Sequence, residues 1–252
     1  MTDRHLNLFY SYNRDSELIE NNLTRALIVV LGMISDNTRG RFLNDMLRRP
    51  LSRLGIESVP SFDSAEFALQ AYMDRNIIRK CTQRYVVIIA TDRFLDVDDL
   101  NTQDDQVEFA AETYEGSIPD GWIYNSSIGY CFLLEVKVGT YPINPDQISS
   151  HAIGWLEIPR DEVQNQVISL TWYDVLNAIK QVESITSNQQ ENLILNNLKE
   201  FIGFFGYRLF QGFDFNDLLL PPDFSFLPEF KQLAIDLADL SDPPEFHLSI
   251  SN

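Results

Sequence analysis

Residues 130–138, YCFLLEVKV, form an apolar run broken by only two charges, Glu135 and Lys137, two positions apart. A run this apolar belongs inside a sheet. Along a strand the side chains alternate, so residues i and i+2 share a face. The run therefore sets an acid and a base side by side on one face of a buried strand. Unpaired and buried, they would be costly. One account is a simple ion pair at a sheet edge. The other is a site whose chemistry needs both charges.

The rest of the chain supplies a sheet and helices around that strand. RYVVIIAT (84–91) is β-branched and apolar and reads as a second buried strand. Residues 119–139 read as two strands, at 121–125 and 130–138, joined by a polar turn at Asn125–Gly129. QVISLTW (166–172) is a further strand. Between 15 and 34, Ile19, Leu23, Leu27, Val30, Leu31 and Ile34 recur at helical spacing, with Glu20 at the border of the apolar stripe. Helices are also expected at 41–54, 64–74, 104–114, from Pro145 to about 156, and at 173–182, 190–206 and 230–240. Asn144 or Asp146 can cap the helix that Pro145 opens. The acidic stretch 92–105 lacks the glycine and terminal glutamate of an EF-hand, so a solvated loop is the simpler reading.

Composition narrows the function classes. The 252 residues carry 19 Lys and Arg against 37 Asp and Glu, a net charge of −18, yet 44% are hydrophobic. That is ample material for a core and argues against a disordered acidic chain. The charge argues against coating nucleic acid or anionic membrane by bulk electrostatics. It is unevenly spread: residues 39–84 hold nine bases and five acids. Arg39, Arg41, Arg48 and Arg49 lead this basic segment, which is either a solvated helix surface or a phosphate-contacting face. Cys81 and Cys131 are too few for a disulfide framework or a four-ligand zinc site. No stretch reaches the roughly 18 apolar residues of a membrane span, and the start lacks a signal peptide's apolar region, so a cytoplasmic location is expected.

Asp120 gives the Glu135–Lys137 pair a chemical meaning. It precedes the neighbouring strand in Pro119-Asp120-Gly121. If the two strands pair, Asp120 approaches Glu135 at one end of the hairpin. Two converging carboxylates repel unless a cation lies between them, and hard oxygen ligands suit Mg²⁺ or Mn²⁺. Lys137 beside such an ion can orient a water or stabilise developing negative charge.

Pro119-Asp120 followed by Glu135-Val136-Lys137 resembles the motif of the PD-(D/E)XK nuclease superfamily, the restriction-endonuclease-like fold. The resemblance covers about residues 7–175. It implies an α/β core in αβββαβ order, a mixed central sheet flanked by helices. The 15–34 helix, strands 84–91, 121–125 and 130–138, the 145–156 helix and the 166–172 strand would fill that order. Residues 176–252 would be a helical, Pro- and Phe-rich acidic extension packed on the core. The resemblance further implies Mg²⁺ (or Mn²⁺) held by Asp120, Glu135 and the Val136 carbonyl, with Glu20 as the acidic residue of the first helix. Lys137 would position the nucleophilic water, and Gln147 resembles the glutamine of the RecB-type branch. That branch has Tyr four residues later, where this chain has His151. Gln147, His151 and Trp155 share a helix face. DNA is the implied substrate, its backbone held by Arg39, Arg41, Arg48, Arg49 and His151.

LFYSYNRDSELIENNLTRALIVVL and VISLTWYDVLNAIK resemble nuclease components of bacterial anti-phage systems. They imply a homo-oligomer or a larger defence complex. The alternative is a non-catalytic partner, in which the acidic half serves as a docking surface or DNA mimic. The tail phenylalanines, Phe213, Phe215, Phe224, Phe226 and Phe230, either pack back on the domain or form an interaction arm.

Overall fold

A computed structural model describes residues 8–9, 19–56, 58–91, 118–139 and 143–209, with the backbone alone at 19 and 20. The helices expected at 104–114 and 230–240 and the tail phenylalanines lie outside the described residues.

Helix α1 (Ile19–Met33) buries Leu23, Leu27, Val30 and Leu31 along the expected stripe. Ser35 turns extended, and α2 (Asp36–Arg53) follows at once. Arg39 reaches back across this junction. Its Nε donates to the Leu31 carbonyl at 2.7 Å and its Nη2 to the Ile34 carbonyl at 3.1 Å. These are the orphan acceptors at the end of a helix, and a cation is favoured there. Helix α2 buries Phe42, Leu43, Met46, Leu47 and Leu51 and ends soon after Pro50.

The segment expected as a helix at 64–74 is instead a strand, β1 (Glu66–Leu69), followed by the short helix α3 (Arg75–Lys80). β2 (Gln83–Ala90), β3 (Gly121–Asn125), β4 (Tyr130–Val136) and β5 (Val167–Thr171) complete a five-stranded mixed sheet in the order β1-β3-β4-β2-β5. β3 is antiparallel to β1 and β4, while β2 runs parallel to β4 and β5. The hairpin's outer neighbour is β1, and the 84–91 strand, β2, lies on the far side of β4. The edge hydrogen bonds of β3 outweigh the weak helical preference of so short a segment.

Helices cover both faces, so the proteins's inner strands read as continuous apolar runs. On one face α1, α2, α5 (Trp172–Glu183) and α6 (Gln189–Gly203) pack over Tyr85, Val87, Ile89, Phe132, Leu134 and Val136. On the other, α3 and α4 (Pro145–Ser150) pack over Val86, Ile88, Trp122, Cys131 and Leu133. The helix expected to run unbroken to 156 widens after Ser150 into a π turn, His151–Trp155. Among the described residues, no helix is long and apolar enough to cross a membrane.

Candidate active site at the end of the hairpin

The turn between β3 and β4 sets the register. Asn125 Oδ1 accepts from the Ser127 and Ile128 amides and from the Ser127 hydroxyl. Gly129 closes the turn at φ +76°, a conformation that side chains resist. Gly121 pairs with Leu134 in the last rung of the ladder, so Asp120 and Glu135 flank that rung on their two chains. Asp120 Oδ2 accepts from the Val136 amide at 2.8 Å, and its carbonyl accepts from Gln70 N at 3.2 Å. Its carboxylate is therefore fixed at the open end of the ladder.

Glu135 points to the α4 face of the sheet and is 2% exposed. Its Oε1 accepts from Lys137 Nζ at 2.9 Å and from Gln147 Nε2 at 2.7 Å. His151 Nδ1 stands 3.4 Å from Oε2. Burial pushes the Glu135 carboxyl up, but the His151 contact and the Lys137 charge outweigh it and hold the carboxyl below the usual range. The His151 separation is at the outer limit of a hydrogen bond, so the two shorter bonds carry the carboxylate's orientation. The 130–138 run thus pairs its two charges with each other, and the fold adds a glutamine from a separate helix.

Each partner is itself held. The Lys137 amide donates to the Ile89 carbonyl at 2.8 Å, and its carbonyl accepts from Trp172 Nε1 at 3.3 Å. Gln147 rides on α4, where Asn144 Oδ1 accepts from the Asp146 amide and Pro145 opens the first turn. Helix α1 closes on the hairpin at Gly121, where an added Cβ would lie 3.4 Å from Thr24 Cγ2. Glu20 lies on α1 one turn before Thr24; its side chain is outside the described residues.

Two residues at this end carried no signal in the sequence. Tyr207 Oη accepts from the Gly139 amide at 3.1 Å and sits 2.8 Å from Thr91 Oγ1. Thr91 in turn donates to the Gly139 carbonyl at 2.7 Å. Together they anchor the chain as it leaves Lys137. Tyr207 is 68 residues from Gly139, and no local pattern announces such a contact.

The expected phosphate contacts are not where the substrate reading needs them. His151 is completely buried against the sheet, so it presents no atom to a phosphate. Arg39 spends its guanidinium on the α1 carbonyls, Asp36 and the Asp63 carbonyl, and it lies over the Phe67 ring. Arg41 and Arg48 line a groove of about 630 Å³ with Asn44, Asp45 and Ile185. Ile185 lies just past the end of α5, whose first residue, Trp172, touches Lys137, and twelve helical residues span about 18 Å. Neither Asp120 nor Glu135 lines the groove. Arg49 is exposed on the same helix.

Asp120 and Glu135 carry hard oxygen donors of the kind that suit a small divalent cation. Among the described residues no group of three or more His, Cys, Asp or Glu side chains is arranged to hold a metal. Any third acidic ligand must come from Glu20 or another side chain outside that set.

Compared with known protein families, curated proteins and solved structures, the chain matches none.

Proposed function

We propose that the chain is a Mg²⁺-dependent deoxyribonuclease with a restriction-endonuclease-like core of the PD-(D/E)XK kind, acting in prokaryotic defence against foreign DNA. One observation carries the reading: the Asp120 carboxylate accepts from the amide of Val136, the residue after Glu135, and Lys137 and Gln147 both bond Glu135. A carboxylate pair with a lysine on the same strand face is an arrangement for metal-assisted phosphodiester hydrolysis.

Asp120, Glu135 and the Val136 carbonyl would hold the ion, with Glu20 contributing from α1. When bound, a divalent cation lowers the pKa of a water and offsets charge developing on the phosphate. Gln147 fixes the Glu135 carboxylate through its bond to Oε1. Lys137 Nζ, 2.9 Å from the Glu135 carboxylate, is placed to orient the attacking water. The buried surroundings of Glu135 exclude bulk water from one side of the pair.

The test is incubation of the full chain with linear, circular and single-stranded DNA in Mg²⁺ or Mn²⁺, with Lys137→Ala and Asp120→Asn alongside. Cleavage should need the ion, and each variant should lose at least about a hundredfold in rate. Cleavage that survives both substitutions would sink the assignment.

A second reading draws on the burial of Glu135 and its two short internal bonds. In that reading the cluster is a structural ion network, and the acidic chain is a non-catalytic partner subunit or DNA mimic. Binding to a basic partner without any dependence on Mg²⁺, and no cleavage of DNA in any form, would favour it.

A further inference from the structure

Tyr72 is 65% exposed, an unusual setting for a large ring. Its ring packs against Trp155, with centroids 5.2 Å apart and planes tilted by 51°. Trp155 is half-buried, whereas Trp122 and Trp172 are fully buried. The pair therefore shows aromatic surface to solvent on the α4 face of the sheet.

Its position is tied to the carboxylates from two sides. Gln70, two residues before Tyr72, donates its amide to the Asp120 carbonyl, and the Ala71 carbonyl accepts from Trp122 Nε1 at 3.0 Å. Trp155 ends the π turn that continues α4, the helix that carries Gln147. The flank is basic in a chain of net charge −18. Arg75 and Arg79 project from α3 with side chains 67% and 59% exposed. They share one carboxylate, Glu157, which Arg79 grips through two bonds of 2.9 and 3.0 Å. Lys80 is exposed beside them.

We propose that the Tyr72–Trp155 pair is a stacking platform for unpaired bases of single-stranded DNA, with Arg75 and Arg79 taking the adjacent phosphates. Every base has a π-face that an exposed ring can stack on, and arginine adds backbone contact. A duplex hides those faces. The platform deepens the nuclease reading by assigning its substrate a single-stranded tract that leads toward Asp120 and Glu135. The direction of the tract rests on that reading; the binding does not.

The test uses the full chain in EDTA, so that binding is read without cleavage. The probe is a labelled thymidine oligomer of about 15 nucleotides, a length within the range of known single-strand sites. Fluorescence anisotropy should show binding that Tyr72→Ala weakens about tenfold and Tyr72→Phe restores. Tryptophan emission should be quenched by the oligomer, and Trp155→Phe should remove most of that quench while keeping binding. A Tyr72→Ala variant that binds as well as wild type would overturn the proposal. So would a duplex or a uridine oligomer bound more tightly than the thymidine oligomer, or no binding at all. Tyr72-dependent binding in a protein that never cleaves DNA would overturn the nuclease reading alone. Mg²⁺-dependent cleavage without Tyr72-dependent binding would overturn the platform alone.

Discussion

Glu191 sits at the third position of α6 and ties three segments together. Its Oε1 accepts from the Ser35 amide at 2.8 Å, and its Oε2 from Thr38 Oγ1 at 2.6 Å and Thr186 Oγ1 at 3.2 Å. Burial pushes this carboxyl up, but the Thr38 hydroxyl and the Ser35 amide outweigh it and hold it below the usual range. A depressed folded value means that the charged form contributes stability above the ordinary carboxylate range. That contribution is lost as pH falls through the folded value. Glu191→Gln should cost about 2 kcal/mol near neutral pH. In urea titrations, the gap to wild type should shrink as pH falls through the lowered folded value. A gap that stays constant would remove charge from the explanation. At this scale the sequence is only partly legible. Glu135 and Lys137 stand out because they interrupt an apolar run. Arg39 and His151 do not, because their roles depend on what lies across the fold. Arg39 was readable as a surface cation, but its targets include carbonyls eight and five residues back, across a helix junction. His151 was readable as a phosphate contact until packing turned it toward Glu135.

Helix α5 is the element that couples the sheet to the candidate site. It begins with a reciprocal cap: Thr171 Oγ1 accepts from the Asp174 amide at 3.3 Å, and Asp174 Oδ2 accepts from the Thr171 amide at 2.6 Å. The first helical residue, Trp172, then holds the Lys137 carbonyl. Thr171→Ala should cost about 1–2 kcal/mol and lower Tm by several degrees, while Thr171→Ser restores most of it. Thermal unfolding of both variants checks this; equal losses would mean that the methyl group, not the cap, carries the effect. Long periodic elements such as α1 and β2 were legible because their patterns persist over many residues. β1 was not. SAEFALQAYMD contains good helix formers, and only four residues of it pair with β3. Partner strands also escape local reading. The 84–91 run announces a buried strand, but nothing within it says that its neighbours are β4 and β5.

Across the whole molecule, charge and chemistry are separated. The basic groove of α2 reaches Ile185, just past the end of α5 opposite Trp172, and neither Asp120 nor Glu135 lines it. The Debye length in physiological salt is about 8 Å, so exposed charges a helix length apart attract little. Replacing Arg41 and Arg48 with Ala should leave Mg²⁺-dependent cleavage of a short oligomer within about twofold of wild type. A tenfold loss in a rate assay would put that groove on the substrate path. Local patterns were enough to determine that the chain builds an α/β core, that its 130–138 strand is buried, and that this strand carries an acid and a base on one face. Those properties follow from apolar runs and the two-residue period of a strand, which neighbouring residues specify among themselves. Only the tertiary structure decided that β1 flanks the hairpin and that Gln147 and His151 meet Glu135. It alone turned Arg39 onto the α1 carbonyls and set Arg41 and Arg48 in a groove without the carboxylates. Such outcomes depend on which surfaces pack together, and residues far apart in the chain settle them jointly.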